Sequence, residues 1–327
     1  MAKLIGNRAA HAAFASAAAS GTLHHAWLLA GPEGVGKATF ARAAALRLLA
    51  DAAAPGTLPP GLAVPKAHPA RALMDAGSHP DYRLLARLPK DPEKPDEDLA
   101  RSVTIAQVRA LGPMFATRPS LSFRRVVVID AIDDLERGGA NALLKNLEEP
   151  PAGTIFLLVS HAPGRLLPTI RSRCRLLRFE RLRDDDVRAV LRQALPEAEE
   201  KEIAALTRAS DGAPGRGLRY AGLDIAGLDQ AMAALATEGD RGNARRSALA
   251  KALAAKAAAP RYQAFLDRVP SYIADIARTR SGPPLAAAIE AHAAARDLAG
   301  AALGLSLDPQ ATVFEMGTLL ASLHQAA

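Results

Sequence analysis

The chain has 327 residues, a formal net charge of +7, 49% apolar and 4% aromatic residues, and one cysteine. That length accommodates two or three domains, while the single thiol excludes an intramolecular disulfide framework and no apolar run reaches the ~20 residues of a membrane helix. Positive charge favours polyanionic partners, yet the basic residues are scattered rather than gathered into a run interleaved with aromatics, so a dedicated nucleic-acid surface is not indicated.

The N-terminus, Met1-Ala-Lys-Leu-Ile-Gly-Asn-Arg8, lacks the apolar segment of a signal peptide, and a cytoplasmic protein is expected. From there the first half alternates strand and helix signals. Ala26-Trp-Leu-Leu-Ala30 is a short apolar run that enters Gly31-Pro-Glu-Gly-Val-Gly-Lys37, and a helical stretch follows from Ala38 to about Leu49. Residues 51–70 are rich in Ala, Pro and Gly without periodicity and read as a loop. The stretch 89–98 is charged and broken by prolines, and reads as exposed and mobile. Ile105, Val108, Leu111 and Phe115 share one helical face. Val126–Ile129, Ile155–Val159 and Leu176–Phe179 are apolar or β-branched runs of strand length. Strands separated by helical patterns imply an α/β domain, a parallel sheet flanked by helices.

After Phe179 the pattern is helical only. Asp184 can cap a helix through Val187, Val190 and Leu191 that ends near Pro196, and another runs from about Glu197 to Ser210, where Asp211-Gly-Ala-Pro-Gly215 breaks it. From Ala221 onward, alanine-rich helices alternate with breaks at Pro260, Pro270, Gly282-Pro-Pro284 and Asp308-Pro309. The expected division is an α/β domain at 1–179, a small helical lid at 180–222 and an all-α domain at 223–327.

The chemistry concentrates in the first domain. Gly31-x-x-x-x-Gly36-Lys37 between a strand and a helix is the context of a phosphate loop: Gly31, Gly34 and Gly36 let backbone N–H groups curl around phosphate oxygens, and Lys37 adds a point charge. A glycine-rich turn alone would explain Gly31-Pro32 but not the lysine. The hydroxyl that normally holds Mg²⁺ after this lysine is missing, since residue 38 is alanine. Thr39 follows, rotated by roughly 100° about the helix axis and so out of the same metal position. The strand at 126–129 ends in Asp130, either a strand terminator or an acid that orients a metal-bound water. The segment resembles a Walker-B strand, in which the residue after the aspartate is normally a glutamate that polarises the attacking water; here it is Ala131, and Asp133 and Asp134 are not expected to replace it. Gly31, Gly34, Gly36, Lys37, Thr39 and Asp130 thus make a candidate nucleotide site with parts removed.

These segments, with Asn141-Ala-Leu-Leu-Lys-Asn-Leu-Glu-Glu-Pro-Pro151 and Thr169-Ile-Arg-Ser-Arg-Cys174, resemble the AAA+ clamp-loader family of bacterial DNA polymerase III. The resemblance is dense over residues 25–50 and 79–180, weak in the lid, and confined to length and helical character beyond it. It implies an AAA+ P-loop domain followed by a helical lid and a collar domain that holds a five-subunit ring together. It implies hetero-pentameric partners of the gamma/tau and delta kinds, a sliding clamp and primer-template DNA reached through the assembly, and no membrane. In the family the arginine of the Ser-Arg-Cys motif acts across a subunit interface as an arginine finger, a role that falls on Arg173 here. Active relatives read the γ-phosphate with an arginine at the start of a lid helix, where this chain has Gly215, with Arg216 and Arg219 out of register. Relatives carry a four-cysteine zinc module before the segment that matches His79-Pro80-Asp81, and the corresponding region here has no cysteine, so no zinc is expected. His79 and Asp81 are assigned a structural role, and Cys174 is read as a small core residue rather than a nucleophile. The resemblance thus points to a stationary ring subunit that requires no cofactor, binds ATP or ADP weakly if at all, and completes a neighbour's ATPase site. The alternative is a hydrolysing motor subunit of the gamma/tau kind.

Overall fold

The computed structural model describes residues 4–91, 93 and 99–325. Five strands, β1 (Ala26–Ala30), β2 (Tyr82–Ala86), β3 (Arg125–Asp130), β4 (Thr154–Ser160) and β5 (Arg175–Arg178), form one parallel sheet in the order β2-β3-β4-β1-β5. Every residue of β1 and β4 is buried, as expected of central strands covered on both faces, whereas the edge strand β5 leaves Arg175, Leu176 and Arg178 exposed. The register sets Ala30 beside Ser160 and Asp130 beside Val159, which brings the carboxyl ends of three strands to one rim of the sheet.

The helices of this part of the chain are α1 (Arg8–Ala19), α2 (Lys37–Ala53), α3 (Pro69–Asp75), α4 (Ile105–Arg109), α5 (Gly112–Phe115), α6 (Arg137–Glu148), α7 (Pro168–Arg171) and α8 (Asp184–Ala194). On one face of the sheet, Leu28, Val127, Ile129, Phe156 and Leu158 pack with Val108, Leu111, Leu143, Leu147 and Ile170. Helix α2 runs one turn further than its periodicity indicates, because Leu48, Leu49, Ala50 and Ala52 are all buried and hold the extra turn. Part of the expected loop at 51–70 is also helical: the His68 ring accepts a hydrogen bond from the Ala70 amide, Pro69 suits a first helical position, and Met74 is buried. The single face read at 105–115 is two short helices, divided where Gly112-Pro113 interrupts the hydrogen-bond ladder, although Val108 and Leu111 still enter the same core. Within the proline-broken stretch, residues 92 and 94–98 lie outside the described residues, and the expectation of mobility falls there.

The chain divides into two compact units, one formed by the chain to Gln193 with Asp211–Gly215, the other by Ala194–Ser210 and everything from Arg216. The second unit contains α9 (Glu200–Ser210) and, after α10 (Pro214–Arg219), the helices α11 (Ile225–Glu238), α12 (Ala244–Ala254), α13 (Ala259–Ala277), α14 (Gly282–Leu305) and α15 (Pro309–Gln325). Helix α15 packs on α11, α12 and α14, and α13 packs on α14. Ala288, Ala291 and Ala295 of α14 are buried, and their small side chains permit close helix approach. Of the four proline breaks, three are helix starts, as a residue without an amide hydrogen favours. Pro270 is not a break: it lies inside α13, where the buried Phe265, Leu266, Val269 and Ile273 offset the lost backbone bond.

Candidate nucleotide site and its neighbouring arginine

The loop between β1 and α2 curls over the carboxyl rim of the sheet. Gly31 is required by a close approach: a Cβ there would lie 2.1 Å from the Phe179 carbonyl oxygen, which β5 brings alongside. Gly36 is required by its φ of 97° at the start of α2. Lys37 is only 2% exposed, and its Nζ donates to the carbonyl oxygens of Gly31 at 2.6 Å and Pro32 at 2.5 Å. Burial pushes its ammonium down to about 8, against the opposing pull of Asp130, Asp133 and Glu33.

The loop borders a cavity of about 350 Å³ that is also lined by Gly34, Gly36, Ala38, Thr39, Asp130, Ala131 and His161. The structure therefore gathers the sequence-predicted residues of the loop, Thr39 and Asp130 around one space, while Gly31 lies at the start of the loop. Asp130 ends β3 with its carboxyl raised by burial, an effect that His161 and Lys37 oppose. Ala131 offers no base. Asp133 accepts from the Ser160 hydroxyl at 3.0 Å and from the amides of His161 and Ala162 at 2.7 and 3.0 Å, so its carboxylate holds the loop after β4. Asp134 is paired with Arg87 at 3.0 Å. Both carboxylates are thus engaged by the protein itself.

Gly215 closes one side of this space. Its amide donates to the Gly34 carbonyl at 2.9 Å, and a Cβ at 215 would sit 2.8 Å from the Gly34 Cα. Because the obstacle is backbone, an arginine at 215 could not be seated without displacing the phosphate loop. His161, Glu33 and Arg87 escaped the reading of the sequence. For His161 a signal existed, since ligand contacts in open α/β sheets gather just beyond the carboxyl ends of strands and His161 directly follows β4.

Arg173 lies apart from this cavity. Ile170, 1% exposed, anchors α7, and Cys174 packs against the core on the other side. Between these anchors the Arg173 side chain is 34% exposed, with Nη1 donating to the Thr169 carbonyl at 2.8 Å and Nη2 paired with Glu148 at 2.7 Å. Burial raises the Cys174 thiol to about 12, which removes it as a nucleophile at neutral pH. His79 and Asp81 form a clasp: the Asp81 carboxylate accepts from the amides of Ser120 and Leu121 at 2.7 and 2.8 Å, and the His79 ring accepts from the Asp81 amide at 3.2 Å.

The profile of the family described as DNA polymerase III, delta subunit, matches residues 6–183, more than half of the chain. DNA polymerase III subunit delta' of Pseudomonas aeruginosa is 38% identical over 170 residues, 52% of this chain and 44% of that protein. The Escherichia coli subunit delta' is 38% identical over 146 residues, 45% of this chain and 41% of that protein. Subunit gamma of Buchnera aphidicola is 30% identical over 198 residues, 59% of this chain and 48% of that protein. The chain thus spans less than half the length of these curated relatives. Among solved structures, a DNA polymerase III gamma subunit-related protein from Thermotoga maritima is similar at 18% identity, with a TM-score of 0.42 over 95% of this chain and 98% of that one. With its parallel five-stranded sheet and the glycine-rich loop after β1, the chain belongs to the family described as DNA polymerase III, delta subunit.

Proposed function

We propose that this chain is a stationary subunit of the DNA polymerase III clamp loader, one that does not hydrolyse ATP and that lends Arg173 to the nucleotide of a neighbouring ATPase subunit. The observation that carries this reading is the state of its own site. Lys37 gives two of its three N–H donors to carbonyls of its own loop, and Gly215, which aligns with the phosphate-reading arginine of active relatives, packs on the Gly34 backbone. Ala38 and Ala131 withhold the metal-binding hydroxyl and the water-polarising carboxylate. By contrast Arg173 keeps what a trans role needs: a charged planar fork at the surface that can stabilise charge on a transferring phosphoryl group.

In this reading the chain sits in a hetero-pentameric ring with gamma/tau and delta subunits and works on the sliding clamp and primer-template DNA through that assembly, in the cytoplasm. No helix among the described residues is long and apolar enough to cross a membrane. Residues 180–222 act as the lid and 223–327 as the collar. The chain requires no cofactor and no zinc, and its retained loop glycines support at most weak ATP or ADP binding. A hydrolysing gamma/tau-like motor, the alternative, would need a hydroxyl at 38, a glutamate at 131 and an arginine at 215.

The test has two arms. The purified chain should show no Mg²⁺-dependent ATP hydrolysis above background and no stoichiometric zinc, and rings assembled with Arg173→Ala should form normally yet hydrolyse ATP more slowly under clamp and DNA stimulation. Finger removal slows the site it serves by about 10³–10⁵-fold, diluted in the ring by intact sites. Sustained hydrolysis by the isolated chain that Lys37→Ala abolishes would instead establish the motor reading, and unchanged hydrolysis by the mutant ring would remove the trans role.

A further inference from the structure

Arg173 is not a free side chain at the surface. Its Nη1 donates to the Thr169 carbonyl at 2.8 Å and reaches the Ser172 hydroxyl at 3.4 Å, and its Nη2 donates to Glu148 Oε1 at 2.7 Å. Two of these partners belong to the same short turn, but Glu148 comes from elsewhere. It is the last residue of α6, a helix seated in the core through Leu143 and Leu147, which are 0% and 1% exposed, and the chain leaves it through Pro150 and Pro151. The two backbones that carry the pair are therefore each fixed by the core, and their separation does not depend on the side chains.

We infer that Glu148 is a positioning residue for Arg173: it holds the guanidinium in its outward pose before a neighbouring subunit's phosphate arrives. This rests on the proposed trans role of Arg173. A long arginine side chain loses rotamer freedom whenever it is ordered, and ordering it in advance leaves less to be lost at the moment of reaction. The pose also keeps the fork usable. Nε–H makes no hydrogen bond to the described residues, and Nη2 has a second N–H beside the one given to Glu148, so donors remain for a phosphate while Nη1 is tethered. An exposed ion pair contributes little to stability, so removing Glu148 should disturb geometry and leave folding intact.

The experiment uses the assembled ring with Glu148→Ala, Glu148→Gln, Arg173→Ala and the double variant Glu148→Ala/Arg173→Ala, measuring kcat and KM for ATP with clamp and primer-template DNA present. Expected are a kcat lower by about tenfold at the served site in Glu148→Ala, with KM unchanged, and recovery of most of it in Glu148→Gln, whose amide oxygen still accepts the hydrogen bond. The double variant should be no slower than Arg173→Ala. Four results would overturn the inference: wild-type kcat in Glu148→Ala, a raised kcat there, a Glu148→Gln variant as slow as Glu148→Ala, or an added loss in the double variant. If Arg173→Ala alone is without effect, the trans role itself fails and this inference falls with it; if only the glutamate variants are without effect, the trans role stands and the positioning role fails.

Discussion

At the scale of single residues, the same burial that shields a group from water dictates its chemistry, and Lys37 and Cys174 illustrate two signs of that effect. Lys37 titrates at about 8 in the folded chain against 10.5 for an unperturbed lysine. Between those values the unfolded chain binds a proton that the folded chain does not, so stability rises with pH across that window; below about 8 both states are charged and the full penalty of burial remains. Wild-type protein should therefore gain about 2 kcal/mol between pH 8 and pH 10 relative to Lys37→Met. Urea unfolding of both proteins at several pH values checks this, and parallel pH profiles would show that the ammonium is hydrated. For Cys174, a thiol raised to about 12 is ionised to only about one part in 10⁴ at pH 8. A disulfide reagent should label the native protein orders of magnitude more slowly than the urea-unfolded chain, and equal rates would refute the assignment of Cys174 to the core.

Elements are held by a few specific polar contacts laid over apolar packing. The start of α12 depends on Asp240, whose carboxylate accepts from the amides of Arg245 and Arg246 at 3.2 and 2.9 Å and from Arg246 Nε at 3.1 Å. Arg246 in turn donates to the Thr318 hydroxyl of α15 at 2.8 Å and lies over the Phe314 ring at 5.0 Å, tying the two helices together. Burial alone would raise the Asp240 carboxyl, but these hydrogen bonds and the guanidinium charge outweigh it and hold it below the usual value. The contribution is thus present above the unfolded carboxylate pKa and lost as the pH falls through the lower folded one. Side chains 12% and 5% exposed shield this pair from water, so Arg246→Ala should destabilise the protein by about 2 kcal/mol: Asp240 keeps its two amide donors but loses the guanidinium, and the tie to Thr318 and Phe314 goes with it. Chemical denaturation at pH 7 measures it, and a loss below about 1 kcal/mol would reduce the pair to surface decoration.

On the scale of the whole molecule, what matters is which apolar surface the chain leaves uncovered. Ile289 and Leu303 of α14 are each 55% exposed, and their separation of 14 residues places them on one side of the helix. If the second unit serves as a collar, this side is a candidate for contact with other ring subunits. Ile289→Glu/Leu303→Glu should then leave the stability of the isolated chain within about 0.5 kcal/mol of wild type, while its incorporation into the ring weakens at least about tenfold, the equivalent of some 1.4 kcal/mol. Competition between tagged wild-type and mutant chains for limiting partner subunits provides the measurement. Equal incorporation would place the ring contact elsewhere.

Much of this was legible in the residues themselves. The five-residue run before Gly31 is β1 from end to end, the β-branched runs at 126–129 and 155–159 are the cores of β3 and β4, and Gly282 and Pro309 mark true helix starts, because strand length, period and backbone permissiveness are local properties. That Ala38, Ala131 and Gly215 carry no hydroxyl, carboxylate or guanidinium needed no coordinates, since it is visible as a letter. Pro270 and the two ends of the expected loop, residues 51–53 and 69–70, were misread for the complementary reason: a helix can survive a poor local signal when neighbours bury its apolar side, and the neighbours are distant in the chain. Only the tertiary structure decided that Lys37 turns back on Gly31 and Pro32, that Asp133 serves the loop after β4, that Gly215 meets Gly34, and that Glu148 holds Arg173. Such contacts follow from strand order and from helices fixed by the core, which bring together groups as far apart as residues 34 and 215, and no local periodicity encodes that order.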